Sequence, residues 1–275
     1  AIGDDSLQKT TTGACNVAVG QNSLRCNTSG GFNVAVGKSA LTATTTGNGN
    51  TAVGYNSLSA ITTATCNTAV GHNSLEALTT AEYTVGIGHK SGVGVTTGAC
   101  NTLIGNYAGY NLTTGYRNIA IGTNPQFSSV SACGQNVIGY DEVGKGDNTS
   151  FLDGSSGVFN KSNSTTWNQT SDRRIKKNIV DNTTGLEKIT QIQVRNFEYR
   201  TLDEITDFGE HKKSAVVKKE GIQVGAIAQE IELIFPELVT TQTTGVKTVD
   251  PGNLTWYMIN AIKELKARIE VLENE

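Results

Sequence analysis

Charge is scarce in the first half of this 275-residue chain. Residues 1–150 carry 13 charged side chains (7 acidic, 6 basic), whereas residues 151–275 carry 34 (18 acidic, 16 basic). With a net charge of −3 overall, there is no field of one sign to steer nucleic acid or to hold an anionic membrane surface. No apolar run approaches the ~20 residues that cross a bilayer as a helix. Aromatic residues are only 6% of the chain, so a narrow coil built from the charge-poor half buries too little apolar area to stand alone. The chain opens with neither a signal peptide nor an initiator Met. Ala1 falls inside a repeat, and the expectation is an excised piece with more repeats upstream.

What fills the charge-poor half is a glycine every 17 residues: Gly3, Gly20, Gly37, Gly54, Gly71, Gly88, Gly105, Gly122 and Gly139. A strict period of this length is the signature of a solenoid. Each copy reads Asn, a short apolar run and Gly, as in Asn16-Val-Ala-Val-Gly20 and Asn50-Thr-Ala-Val-Gly54, with Leu four residues on at Leu7, Leu24, Leu41, Leu58 and Leu75. The run before Gly predicts a strand and the Thr-Thr-Gly segments predict turns. The expectation is two short strands and two corners per turn, Asn ladders inside the coil, and rows of Val and Leu forming a thin core. Several chains packed side by side or interwound would complete it. The repeat decays where Gly92 and Gly109 replace Leu and Gln135 replaces Asn.

Cys15, Cys66 and Cys100, three of five cysteines, share one slot. Two stacked turns separate Cys66 from Cys100 by roughly 9–10 Å, beyond the ~7 Å Cα reach of a disulfide. They read as small apolar fillers, with disulfides between chains of an oligomer as the alternative. Gly31 to Ser39 imitates a phosphate loop but has five residues between its glycines where the motif needs four. His72 and His89 both follow a repeat Gly. No phased carboxylate or Cys completes a metal site, so they read as exposed residues in a variable slot. Tyr107, Tyr110 and Tyr116 form the one aromatic cluster legible in the repeat.

The charge step sets the expected organisation: a β-solenoid shaft over 1–150, a Gly/Ser/Asn-rich linker over 151–170, and a small α+β domain over 171–275 ending in a coiled-coil helix. Within the last, a helix is expected at about 184–192, strands at 194–199 and 221–229, a charged loop over 201–220, a helix from Glu230 to Phe235 stopped by Pro236, and a helix from about Leu254 to Leu272. Ile262, Leu265, Ile269 and Leu272 hold the 3–4 spacing of a coiled-coil seam, and Ile at one slot with Leu at the other is the two-stranded preference.

The head pattern Asn-x-Ala-Val-Gly resembles the repeats of trimeric autotransporter adhesins and of viral tail-fibre shafts, with a longer period than adhesin heads commonly have. Three C-terminal segments resemble the intramolecular chaperone and auto-processing domain of endosialidase-type phage tail spikes. They are Ser171-Asp-Arg-Arg-Ile-Lys-Lys-Asn-Ile179, Val224 through Leu238, and Ala261-Ile-Lys-Glu-Leu-Lys266. The resemblance implies a homotrimeric fibre in a virion, whose last domain guides folding and then cuts itself off between Thr170 and Ser171 without cofactor or metal. It assigns the nucleophile to Ser171 and the base to Lys176, with Asp172, Arg173, Gln229 and Glu230 as supporting residues. A serine hydroxyl needs an adjacent base. A lysine serves as one only when burial or cationic neighbours such as Arg173, Arg174 and Lys177 favour its neutral form. Residues five apart lie ~140° apart on a helix and on opposite faces of a strand, so a bend or a neighbouring chain must bring the pair together. The competing readings are a non-enzymatic structural fibre and a shaft that binds a host receptor or glycan.

Overall fold

The computed structural model describes residues 1–152 and 173–274. The chain divides into two compact units, residues 1–158 with 209–215 and residues 159–208 with 216–275. In the first, nine three-residue strands form one parallel sheet in chain order: β1 (Val17–Val19), β2 (Val34–Val36), β3 (Thr51–Val53), β4 (Thr68–Val70), β5 (Val85–Ile87), β6 (Thr102–Ile104), β7 (Ile119–Ile121), β8 (Asn136–Ile138) and β9 (Ser150–Leu152). Each strand pairs with the residues 17 positions on, as Val17 does with Val34. The last step is shorter, Asn136 pairing with Ser150. This is the expected solenoid, with one strand per turn instead of two. The reason is local. In the turn that follows β1, Gly20, Asn22, Leu24 and Phe32 all have positive φ, and a chain bent that often holds no second extended run. Backbone bonds still join the turns there: the N–H of Leu24 donates to Ala40 (3.0 Å) and that of Thr28 to Thr45 (2.9 Å).

The period follows from two stacked backbones. The repeat glycines have φ between 123° and 156°, a region closed to L side chains. At Gly3, Gly20 and Gly37 an added Cβ would also lie 2.5–2.7 Å from the carbonyl group of the glycine one turn on. Inside the coil the Asn ladder is real. The N–H groups of Asn33, Asn50 and Asn67 donate to Oδ1 of the Asn one turn before at 2.9, 2.9 and 3.0 Å. The Nδ2 groups of Asn33, Asn50 and Asn67 donate to the carbonyls of Gly47, Ala64 and Ala81 at 2.8–2.9 Å. All are buried, so the ladder satisfies polar groups that water cannot reach.

The Val rows do not build the core. Ala18, Ala35, Ala52 and Ala69, at the strand centres, are fully buried, together with Leu24, Leu41, Leu58 and Leu75. The Val or Thr residues on either side of each Ala are half-buried or exposed. Alternation along a strand explains this: Asn and Ala are two apart and share a face, so an inward Asn sends both flanking residues outward. The leucines lie at φ 49–52°, which costs about 1–2 kcal/mol each in the left-handed region. Burial of each side chain, worth about 1.5–3 kcal/mol, offsets it. Where Gly92 (φ 58°) and Gly109 (φ 62°) take that slot, Leu103 stands at the strand centre in place of Ala. A Cβ on Gly92 would meet Leu103 Cδ1 at 2.5 Å, and one on Gly109 would meet Leu103 Cδ2 at 2.7 Å. Leu103 thus fills part of the volume two leucines leave, with Leu75 beside Gly92 and Phe127 beside Gly109.

The second unit holds α1 (Leu186–Ile189), β10 (Arg195–Phe197), β11 (Gln223–Gly225), α3 (Ala228–Ile234), β12 (Val239–Thr241), β13 (Lys247–Val249) and α4 (Gly252–Glu273). The short α2 (Lys212–Ala215), inside the segment expected to be a loop, is grouped with the first unit. β10 pairs antiparallel with β11, and β12 with β13. Ile231, Phe235 and Leu238 make the buried cluster, with Ile189, Ile192, Val249, Leu254 and Tyr257 packed against it.

Candidate functional site

Of the expected processing residues, Thr170, Ser171 and Asp172 lie outside the described residues. Arg173–Ile175 forms a single 3-10 turn, closed by the N–H of Lys176 donating to Arg173 (3.2 Å). Arg173 through Val180 is exposed throughout, Lys176 included, with Arg173, Arg174 and Lys177 as its neighbours in the chain. In the single chain, then, cationic neighbours are supplied and burial is not. The chain leaving this turn is held further on. Asn260 Nδ2 donates to the carbonyls of Asn182 (2.8 Å) and Thr184 (3.2 Å), and the N–H of Leu186 donates to Glu264 Oε2 (3.2 Å). The start of α1 is therefore seated on α4.

Glu230, in the first turn of α3, receives a two-pronged bond from Arg195 of β10, at 2.9 Å from Nη2 and 3.2 Å from Nε. This carboxylate pushes the Arg195 guanidinium above its ordinary range. The acidic side chain at a helix start also meets the positive end of the helix dipole. Glu230 thereby ties β10 to α3, while Gln229 beside it is exposed. Lys247 of β13 bonds Glu232 of α3 at 2.7 Å. The Tyr257 ring stacks on Phe235, centroids 4.8 Å apart, and its hydroxyl donates to Glu237 (3.1 Å). Burial, and then the Glu237 carboxylate, raise the Tyr257 pKa.

α4 has two apolar faces. Leu254 and Tyr257 turn to the cluster around Phe235, and Ala261 is buried. Met258, Ile262, Leu265, Ile269 and Leu272, spaced 4-3-4-3, are exposed, Ile262 by 62% and Leu272 by 70%. Expected from four of these residues, the seam is one longer. The β12–β13 hairpin was not foreseen, although Val-Thr-Thr and Lys-Thr-Val around Gly245 carry the β-branched signal of one.

On the shaft, sequence reasoning missed a file of rings. Tyr55 stacks on His72 at 5.1 Å, His89 lies tilted against His72 at 5.3 Å, and Tyr107 meets His89 edge-on at 5.3 Å and Tyr110 at 6.3 Å. Three of these five directly follow a repeat Gly, so phasing the aromatics against the period would have found them. Among the described residues no three or more His, Cys, Asp or Glu side chains group as a metal site would need. No described helix is long and apolar enough to cross a membrane.

Compared with known proteins, residues 171–240 match the model of a peptidase family described as chaperone of endosialidase. No curated protein and no solved structure matches the chain. The match covers Ser171 to Thr240 alone and supports an intramolecular chaperone domain in that region of the chain.

Proposed function

We propose that this chain is part of a viral fibre or tail spike whose C-terminal domain brings three copies together, guides the shaft to fold and then releases itself at the Thr170–Ser171 bond. The observation that carries this reading is the family match, which starts at Ser171. The exposed seam of α4 and the three-residue buried cluster of its unit support it, because an apolar surface of this extent on a folded domain marks an interface. Ile at one seam slot favours two strands, so in this reading the trimer is selected by the rest of the unit and not by the helix alone.

In the cleavage step the Ser171 hydroxyl adds to the Thr170 carbonyl carbon as its proton passes to the neutral Lys176 amine. The bond to the Ser171 nitrogen breaks, that nitrogen takes up the proton, and water hydrolyses the ester left behind. Lys176 is exposed in the single chain, and assembly of three copies supplies the burial that keeps its amine neutral. Cleavage is thereby tied to assembly.

Freshly expressed protein is expected to run as two fragments, residues 1–170 and 171–275. Ser171→Ala and Lys176→Ala should each leave one intact band. Ile262→Asp with Leu265→Asp should leave a monomer that does not cut. An intact band from the unaltered chain would favour the non-enzymatic fibre, and undiminished cutting by a verified monomer would remove the link to assembly. A second reading, a shaft that binds a host receptor or glycan, has the file of rings from Tyr55 to Tyr110 behind it. A glycan screen of the full chain against a Tyr55→Ala, Tyr107→Ala variant tests it.

A further inference from the structure

The outer face of the sheet carries two columns that the fold of one chain leaves uncovered. One reads Val17, Val34, Thr51, Thr68, Val85, Thr102, Ile119, Asn136; the other reads Val19, Val36, Val53, Val70, Ile87, Ile104, Ile121, Ile138. None of the sixteen is charged, and the second column is β-branched aliphatic at every one of its eight positions. All sixteen are half-buried or exposed. Beside them runs the corner column Cys15, Phe32, Gly49, Cys66, Tyr83, Cys100, Arg117 and Gly134, all at φ 56–66°. Only its two glycines occupy that region without strain. Phe32 and Tyr83 stand there with 70% and 60% of their surface in solvent. Strain without burial in the single chain points to a role outside it.

We propose that this face is where copies of the chain pack against one another in parallel, equal turn against equal turn. The inference rests on the oligomeric reading above and names its contact surface on the shaft. The occupant follows from period. The columns recur at the rise of stacked strands, about 4.8 Å. A partner that meets them over eight successive turns needs side chains at the same rise, which a second copy of this solenoid has. Seven such steps by the width from residue 15 to 19 make a projected face of about 450 Å², below the ~800 Å² per partner of a standard stable interface. The face therefore adds to an association begun elsewhere and does not start one. It is also nearly blind to register: sliding one copy by one turn keeps seven of the eight turns paired. Phe32 and Tyr83 break that degeneracy, since a slip sets each ring against a different corner residue. A domain that aligns the copies first is what such a face requires.

The test uses the full chain with Val70→Glu, with Val70→Lys, and with both forms co-expressed, beside Gln21→Glu and Thr46→Glu at exposed positions off the face. Each charged variant at 70 alone is expected to keep the oligomeric mass but to lose heat and protease resistance over residues 1–150. Co-expression should restore that resistance, which a merely misfolded chain could not do. Gln21→Glu and Thr46→Glu should change nothing. Oligomers whose resistance is the same for Val70→Glu as for Gln21→Glu would overturn the proposal and leave the trimer reading standing. An unaltered chain of monomeric mass would remove both.

Discussion

Among the described residues, the solenoid buries twenty-one apolar side chains in one continuous file from Ala18 to Val137, while the cluster of the C-terminal unit has three, Ile231, Phe235 and Leu238. Ten of the twenty-one are alanines, so the shaft is narrow and gains little per residue from burial. It is held instead by repetition: a glycine backbone stack, an Asn ladder, and threonine hydroxyls donating to the turn ahead, as Thr28 Oγ1 does to Thr45 (3.0 Å). The C-terminal unit has the ordinary charges and helices of a globular domain, yet leaves Trp256, Ile262, Leu272 and Leu233 in solvent. The same chain thus contains a part whose every turn is stabilised by its neighbours and a part whose apolar surface exceeds its own core. The first propagates structure from turn to turn; the second leaves the seam of α4 uncovered in the single chain.

The contrast can be broken hardest at a repeat glycine. Gly54→Val places a side chain at φ 136° and into the carbonyl of Gly71. A loss of more than about 4 kcal/mol is expected, in the exceptional range for one substitution, read as collapse of the shaft's thermal transition with the C-terminal signal retained. A moderate effect is expected in the core. Gly92→Leu should cost about 1–3 kcal/mol by overpacking against Leu103 and Leu75, and Leu103→Ala in the same chain should recover part of it; additive losses in chemical denaturation would refute the volume exchange. The smallest effect belongs to the second unit. Arg195→Ala removes a half-exposed ion pair, whose contribution solvent screening keeps small, and the expected change is a slight shift in the unit's melting temperature with the shaft unmoved.

Much of this was legible in the residues. The 17-residue step, the turn at Gly, the Asn ladder and the α4 seam all follow from position alone, because stacked turns make residues 17 apart neighbours. The outward Val column was legible too, since Asn and Ala two apart must share a face; assigning valine to the core overlooked that alternation in favour of hydrophobicity. The single strand per turn was not legible, because nothing marks Leu24 or Phe32 as left-handed: Leu and Phe rarely adopt that region, and only closure of the coil imposes it. Lys176 could be named from its motif but not its surroundings, which depend on what packs over an exposed turn.

Period and composition by themselves determined that this is a stacked coil followed by a charged domain of another kind. They did so because repetition in sequence is repetition in space. The tertiary structure decided which side of the wall faces in, which leucines accept a strained backbone, and which apolar columns stay uncovered. Those outcomes depend on how each turn packs on the next, which the period alone does not specify.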